Sequence, residues 1–222
     1  MGDFYINGMV FDEVYNPVSK RAEFRLSKYG GYETHVKIPE EIENCPVTQI
    51  GPHAFYRRPM MQEILFPDSI ISIDESAFSH CPELVTVTSY PSNYRAKELN
   101  LFGFAFSSCP QLTSFHSDVP ISVYYQAFEN CTNLTKMDAV VSGFGCRAFS
   151  NTNVKEIRFA DNALWGKGSF LDTTITDLYF EGGISEKVCK SYFKDIKKRN
   201  LHINPQKFNC LELMYEGYRL MA

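Results

Sequence analysis

Residues 70–87, IISIDESAFSHCPELVTV, contain the pattern that decides the fold, and residues 121–137, ISVYYQAFENCTNLTKM, repeat it. In both stretches a phenylalanine follows an alanine and stands five residues after a large apolar residue. The arrangement occurs six times, with a serine in place of the alanine in the last copy. The six pairs are Ile50 and Phe55, Ile73 and Phe78, Leu101 and Phe106, Val123 and Phe128, Phe144 and Phe149, and Trp165 and Phe170.

Successive phenylalanines of this pattern are 23, 28, 22, 21 and 21 residues apart. A recurring unit of about 20 to 30 residues is typical of solenoid proteins, in which each unit buries its apolar face against its neighbours. We therefore expect a single elongated repeat domain. The repeated residues should form its core, and only residues that vary between repeats can carry function.

A strand is predicted shortly after each phenylalanine. An apolar residue follows five or six positions on, and another comes three residues later, which suits a turn that leads into a short strand. Stacked strands of this kind form a parallel sheet with about 4.8 Å between neighbours. The second apolar residue of each copy is predicted to point into the core: Ile64, Val87, Phe115, Met137, Ile157 and Leu178.

The residues on either side of these inward positions are predicted to point outward, because strand side chains alternate with a period of two. The positions that follow are Leu65, Thr88, His116, Asp138, Arg158 and Tyr179, and those that precede are Glu63, Thr86, Ser114, Lys136, Glu156 and Asp177. Rows that mix charges, imidazole and phenol suit recognition of a protein or peptide. The alternative is a solvated sheet with cross-strand pairs such as Asp138 with Arg158.

The repeats resemble the BspA-like class of leucine-rich repeat, whose units run roughly V-x-x-I-G-x-x-A-F-x-x-C-x-x-L-x-x-I-x-I-P. Residues 47–69, VTQIGPHAFYRRPMMQEILFPDS, carry the likeness most clearly, and it extends over about residues 38–180. The resemblance implies a right-handed β/α solenoid with short parallel strands and 3-10 or helical turns. It further implies a binding role, which in many members is at the cell surface or in contact with a host.

The cysteine slot of the repeats and one insertion are informative. The cysteine slot, three residues after the phenylalanine, holds Arg58 in the first copy and cysteine in the next three. The cysteines are Cys81, Cys109 and Cys131, which we interpret as small residues packed in the turns and not as reactive thiols. The third copy carries an insertion, Ser89 to Glu98, which is predicted to protrude as a loop.

The chain divides into three parts on this pattern. Residues 1–46 alternate apolar and polar character and include an Asn7-Gly8 hairpin signal, which predicts a β-hairpin cap. Residues 47–182 contain the six repeats. Residues 183–222 are predicted to be a helical cap and tail, with a basic amphipathic helix from Ser185 to Asn200 and a short strand in the LHINP stretch.

Several function classes are disfavoured. The net charge of −4 does not suit a nucleic-acid-binding protein, and no apolar stretch is long enough to span a membrane. The five histidines lack metal-ligand spacing, and no local motif predicts a catalytic nucleophile, so neither a metal, a cofactor nor a catalytic residue is predicted. An enzyme whose residues gather across repeats is the least favoured hypothesis.

Two binding hypotheses remain. The first is a non-enzymatic protein-interaction module that presents the outward rows to a macromolecule. The second is an adhesion or glycan-contact protein at the surface of a bacterium or microbial eukaryote, with Tyr90, Tyr94 and Tyr179 stacking on sugars. The sequence as written, with seven cysteines and no export signal, predicts the cytoplasm. If an export signal upstream of Met1 has been removed, the sequence would look the same, and the cell surface would be the expected location.

Overall fold

The computed structural model of the protein describes residues 3–166, 168–169, 171–180, 200–203 and 220–221. All regular elements in these residues are β-strands, which form two sheets. The five strands of the smaller sheet, here called the front sheet, are parallel: β4 (His35–Lys37), β7 (Glu63–Pro67), β9 (Thr86–Tyr90), β11 (Ser114–His116) and β13 (Lys136–Asp138).

The second sheet, here called the long sheet, has 13 strands. Its path contains β1 (Phe4–Ile6), β2 (Met9–Asn16), β3 (Arg21–Tyr29), β6 (Cys45–Ile50), β8 (Ser72–Ile73), β10 (Leu99–Leu101), β12 (Ile121–Val123), β14 (Val140–Phe144), β15 (Glu156–Trp165), β16 (Asp177–Phe180), β17 (Asn200–Ile203) and β18 (Leu220–Met221), while β5 (Glu41–Ile42) pairs with β6 from the side.

The N-terminal strands form the predicted hairpin. Asn7 and Gly8 both have positive φ, 47° and 75°, which is the backbone that a two-residue hairpin turn requires. Strand β2 pairs antiparallel with both β1 and β3, and β3 then pairs in parallel with β6 of the first repeat. The hairpin therefore continues the long sheet at its first end.

Each of the first four repeats supplies two strands, one to each sheet, where the sequence predicted one. The additional strand ends at the large apolar residue that precedes the Ala-Phe pair, as β8 does at Ile73, and it lies in the long sheet. The predicted strand, such as β9 around Val87, lies in the front sheet. A two-residue strand shows no alternation over the four or more residues from which a strand is recognised in sequence.

The segments around the Ala-Phe pairs are β-turns, and the expected 3-10 or helical turns do not form in the described residues. In the second repeat the N–H of Ala77 donates to the carbonyl of Asp74 and that of Ser79 to Ser76, each at 3.1 Å. Ser76 and His80, however, have φ of 57° and 60°. A left-handed residue at every fourth position interrupts the run of right-handed residues that a helix needs.

Backbone hydrogen bonds connect each turn to the next. The phenylalanine N–H donates to the alanine carbonyl of the following turn, at 2.7 to 2.9 Å, in four successive bonds: Phe55 to Ala77, Phe78 to Ala105, Phe106 to Ala127 and Phe128 to Ala148. The turn side of the solenoid therefore pairs its buried polar backbone without a sheet or a helix.

The recurrent phenylalanine side chains stack inside the solenoid, as predicted. Five of them are fully buried: Phe55, Phe78, Phe106, Phe128 and Phe149. Their ring centroids lie 4.7, 5.0, 5.2 and 5.4 Å apart, with interplanar angles of 9°, 3°, 5° and 8°. Tyr29 of the hairpin packs 5.0 Å from Phe55 and covers the first ring. The sixth, Phe170, lies outside the described residues.

The cysteines in the turns are buried and hydrogen bonded, which confirms their interpretation as packed residues. The thiols of Cys81, Cys109 and Cys131 donate to the phenylalanine carbonyl of the preceding turn, at 3.0 to 3.1 Å. A hydrogen bond with the Cys109 thiol, followed by burial, raises the pKa of Cys81, and burial is the main cause of the raised pKa of Cys109. In the first repeat, Arg58 lies over the Tyr29 ring instead.

The inserted segment does not protrude as predicted but folds back along earlier repeats. Ser92 donates to the buried Asp68 carboxylate through both its N–H (2.8 Å) and its hydroxyl (2.6 Å). The Tyr94 hydroxyl donates to Glu41 at 2.7 Å. Alternate residues from Ser92 to Glu98 are only partly exposed. The cause is the carboxylate of Asp68, since a buried charge needs partners and the insertion supplies them.

The predicted C-terminal helix lies outside the described residues, except for its last residue. Asn200 begins strand β17, which confirms the strand predicted in the LHINP stretch and pairs with β16.

Truncation of a stacked ring should destabilise the whole array. We expect Phe106→Ala to lower the free energy of unfolding by about 3 to 5 kcal/mol, because it leaves a cavity between two rings. Urea unfolding followed by circular dichroism measures the change. Tyr32→Ala, at a side chain that is 79 % exposed, is the control and should shift it by no more than about 0.5 kcal/mol. Equal effects of the two substitutions would contradict the stack.

The thiols should differ in reactivity. In the folded protein we expect iodoacetamide to modify Cys146, which is exposed, while Cys81, Cys109 and Cys131 react only after unfolding. Peptide mapping by mass spectrometry, with and without urea, separates the sites. Modification of Cys109 at the same rate as Cys146 without urea would show that the turns are not packed as described.

Candidate partner-binding surface

The outward positions of the front sheet form two rows on its solvent side. The predicted alternation is confirmed there, since Ile64, Val87 and Phe115 are fully buried and Met137 is 9 % exposed, while their neighbours along each strand reach solvent. In register, one row contains Lys37, Leu65, Thr88, His116 and Asp138, and the other contains His35, Glu63, Thr86, Ser114 and Lys136. These are the front rows.

Both front rows begin one strand earlier than the sequence predicted. His35 and Lys37 lie on β4, which pairs with β7. They were assigned to the cap because no Ala-Phe pair precedes them. The signal that could have found them is the HVKI stretch, in which Val36 points inward and is 4 % exposed while both neighbours are exposed.

The remaining predicted positions form a separate group on the long sheet. Strands β15, β16 and β17 align Glu156, Asp177 and Asn200 in one row and Arg158, Tyr179 and His202 in the other. These are the distal rows. His202 extends them beyond the prediction, and its place is visible in sequence only through the LHINP strand.

The front and distal rows are not continuous. Arg158 is in register with Val140 of β14, and Asp138 contacts His116, so the Asp138 and Arg158 pair suggested by the sequence is not formed. The cause is the connection between the two strands of the fourth repeat. Only Ala139 separates β13 from β14, whereas four residues separate β11 from β12. Val140 therefore takes the position beside Arg158.

His116 contacts two carboxylates at the front rows. Its Nδ1 lies 3.0 Å from Oδ2 of Asp138, and its Nε2 lies 3.4 Å from Oδ1 of Asp118. Asp118 is positioned by its backbone N–H, which donates to the Ser89 hydroxyl at 2.8 Å. Both carboxylates are partly exposed, so a partner can displace these contacts at small cost. Asp118 was missed because it lies just past the end of β11.

Tyr179 and His202 form a stacked pair in the distal rows. Their ring centroids are 4.0 Å apart and the planes are 8° from parallel. His202 Nε2 lies 2.9 Å from Oδ1 of Asp177, which also accepts from Asn200 at 3.0 Å. The bond from His202, followed by that from Thr176, lowers the pKa of the Asp177 carboxyl. Burial is the first cause of the raised pKa of Tyr179.

The two other tyrosines suggested as sugar platforms have contacts within the chain. The Lys37 ammonium lies 4.6 Å from the centroid of Tyr90, whose hydroxyl donates to the carbonyl of Ile38 at 2.6 Å. The Arg21 guanidinium lies 5.3 Å from the Tyr94 ring. Each ring therefore has a cation over one face.

Two further features concern all the described residues, namely metal sites and membrane-spanning helices. No group of three or more His, Cys, Asp or Glu side chains among them is placed to hold a metal ion. The same part of the chain has no helix with the length and apolar character that a membrane crossing needs.

Comparisons with known proteins agree with the repeat fold. A family model described as BspA type leucine rich repeat region matches the chain in six copies, over residues 48–176 and 100–210. No curated protein matches the chain in sequence.

Two solved structures have a similar fold. One is a leucine rich cell surface protein from Faecalibacterium prausnitzii, with 20 % identity and a TM-score of 0.52, covering 82 % of this chain and 55 % of that one. The other is the pneumococcal vaccine antigen PcpA, with 16 % identity and a TM-score of 0.57, covering 83 % and 50 %. The likeness is one of fold alone, and this chain spans about half of each structure.

The ionisation of Asp177 should depend on His202. We expect its carboxyl to titrate below the ordinary aspartate pKa and His202→Phe, which keeps a ring against Tyr179, to raise that pKa. Because the folded pKa is depressed, the stabilisation is present above the unfolded pKa and is lost as pH falls through the folded one. Carboxyl NMR shifts against pH measure it. His35→Phe is the control, and an unchanged Asp177 titration in His202→Phe would contradict the contact.

Proposed function

The chain belongs to the BspA-type leucine rich repeat family, and from that premise we propose that it is a non-enzymatic interaction protein whose outward strand rows bind a macromolecular partner. The family is a repeat family that generally lacks enzymatic activity. The single observation that carries the proposal is the register of the front rows, which align ten non-core side chains on one parallel sheet.

The size and rigidity of this surface support the proposal. Five strands at about 4.8 Å give rows of roughly 19 Å, long enough for a peptide or one side of a small domain. Each strand is anchored by a fully or almost fully buried residue between its two outward neighbours, so the outward side chains start from a fixed backbone. A preorganised surface loses less entropy on binding than a flexible one.

The charges favour a partner of mixed character. The front rows contain Lys37 and Lys136, the carboxylates of Glu63 and Asp138, and the uncharged Leu65 and Thr88 between them. His116 lies between two carboxylates, and both of its ring nitrogens become available to a partner that displaces them. A protein surface with both signs of charge and an apolar group opposite Leu65 is the complement.

The adhesion hypothesis has narrower support. Of the three tyrosines suggested for glycan contact, Tyr90 and Tyr94 are engaged by cations of the same chain, and Tyr179 stacks on His202. A protein or peptide ligand is therefore the favoured partner, and a glycan is the second candidate.

Removal of the outward groups should abolish binding without unfolding. The test variant combines His116→Ala, Asp138→Ala, Arg158→Ala and Tyr179→Ala, and the control combines Glu83→Ala, Gln111→Ala, Thr132→Ala and Lys155→Ala, which lie exposed on the loops before the strands. Quantitative pull-down from the source cells identifies partners, and their purified forms then give the affinities. We expect at least about a tenfold loss for the test variant only.

Two results would refute the assignment of this surface. One is a test variant that binds its partners with wild-type affinity. The other is an equal loss in both variants while circular dichroism and urea unfolding stay unchanged, which would move the binding site to another part of the molecule.

A further inference from the structure

The first edge of the front sheet is uncovered. Strand β4 pairs with β7 and with no other described strand, while the hairpin β1 to β3 extends the long sheet. The bonds beside β4 run from Glu63 N–H to Thr34 O and from Ile38 N–H to Leu65 O, both at 2.9 Å. Successive residues of a strand direct their backbone groups to opposite edges, so those of His35 and Lys37 point away from β7.

The side chains that could shield this edge lie elsewhere. Charged edge residues, lysine above all, commonly prevent strand pairing with another chain. Here the Lys37 ammonium lies over Tyr90 of β9, two strands further into the sheet. The imidazole of His35 is 3.7 Å from the carboxylate of Glu63 on β7. Both side chains extend toward the sheet, and the outer backbone groups of β4 stay accessible.

A depression adjoins this edge. It has a volume of about 240 Å³ and is lined by residues of β4 and of the hairpin side, with Met9, Val36 and the Tyr29 ring as apolar walls. No residue of β7 lines it, so it lies on the free side of β4. Glu33 supplies a carboxylate at its rim and accepts a hydrogen bond from the Tyr29 hydroxyl.

The chemistry of the depression favours a basic side chain. The hydrogen bond from the Tyr29 hydroxyl lowers the pKa of Glu33, so this carboxylate is ionised at neutral pH. Lys37 also lines the depression, but its ammonium lies over the Tyr90 ring. An arginine or lysine side chain combines an apolar stem, for the walls, with a cationic end, for Glu33.

We infer that the free edge of β4 binds an extended peptide by strand addition, and that a basic side chain of this peptide enters the depression beside Glu33. The peptide pairs with the backbone groups of His35 and Lys37, which supply affinity, while the depression supplies selectivity. This site uses the edge of the front sheet and none of the side chains removed in the fourfold alanine variant of His116, Asp138, Arg158 and Tyr179, here called the outward-row variant. Loss of binding at one site therefore leaves binding at the other unchanged.

The experiment starts from a displayed library of random linear peptides selected on the full chain. We expect enriched peptides to place one arginine or lysine among β-branched residues, and to protect the amides of His35 and Lys37 in hydrogen exchange. They should bind the outward-row variant as they bind the wild type. Glu33→Gln should weaken the binding of these peptides.

The matched pair is Lys37→Pro and Lys37→Ala. Both remove the lysine side chain, but only proline removes the outward N–H, and the bonds to β7 made by Val36 remain. We expect Lys37→Pro to bind the selected peptides at least about tenfold more weakly than Lys37→Ala does. If Lys37→Pro fails to fold, peptides N-methylated at edge-facing residues serve instead, with methylation at the alternate residues as control.

Four outcomes would overturn the inference: no enriched peptide, equal binding by the two Lys37 variants, peptide protection at amides away from β4, or protection of β4 that rises with protein concentration without peptide. The last would assign the edge to a second copy of the chain.

Discussion

The distance between neighbouring aromatic rings is the constraint on which this structure depends. Parallel strands lie about 4.8 Å apart, and offset aromatic rings pack with centroids at about 4.5 to 7 Å. One phenylalanine in each turn satisfies both requirements, and the observed centroid distances of 4.7 to 5.4 Å lie in the shared range. A longer step would separate the rings or the strands, and a shorter one would force them to overlap.

The turns supply the rest of what the stack requires. A ring at the interior of a turn brings its own backbone out of water, and that backbone must be paired. The phenylalanine N–H reaches the next turn, and its carbonyl accepts from the cysteine of the next turn, as Phe78 does from Cys109. In the fifth repeat the hydroxyl of Thr152 takes this role, donating to Phe149 within the same turn. A small side chain with a donor is what the turns of the second to fifth repeats share.

Because the interior is used for stacking, we propose that recognition takes place on the outward rows and at the sheet edge. The front rows have a fixed backbone and loosely paired side chains, as around His116, which suits a surface that exchanges its own contacts for those of a partner. The edge of β4 differs. The backbone groups of His35 and Lys37 that point away from β7 are unpaired among the described residues, while the side chains of both residues make contacts within the chain. One sheet thus presents two chemically different surfaces, one made of side chains and the other of main chain.

By itself, the sequence determined the repeat, the inward residues and the outward alternation, because these depend on local periodicity and on one ring in each unit. It also indicated the hairpin through Asn7 and Gly8. Tertiary structure alone decided what depends on contacts between distant residues. The insertion after β9 folds back because the buried carboxylate of Asp68, just past the end of the neighbouring strand β7, needs partners. The outward rows divide because Ala139 is too short a connection to keep β13 beside β15. Likewise, β4 joins the front sheet without an Ala-Phe turn, since what places it is its pairing with β7.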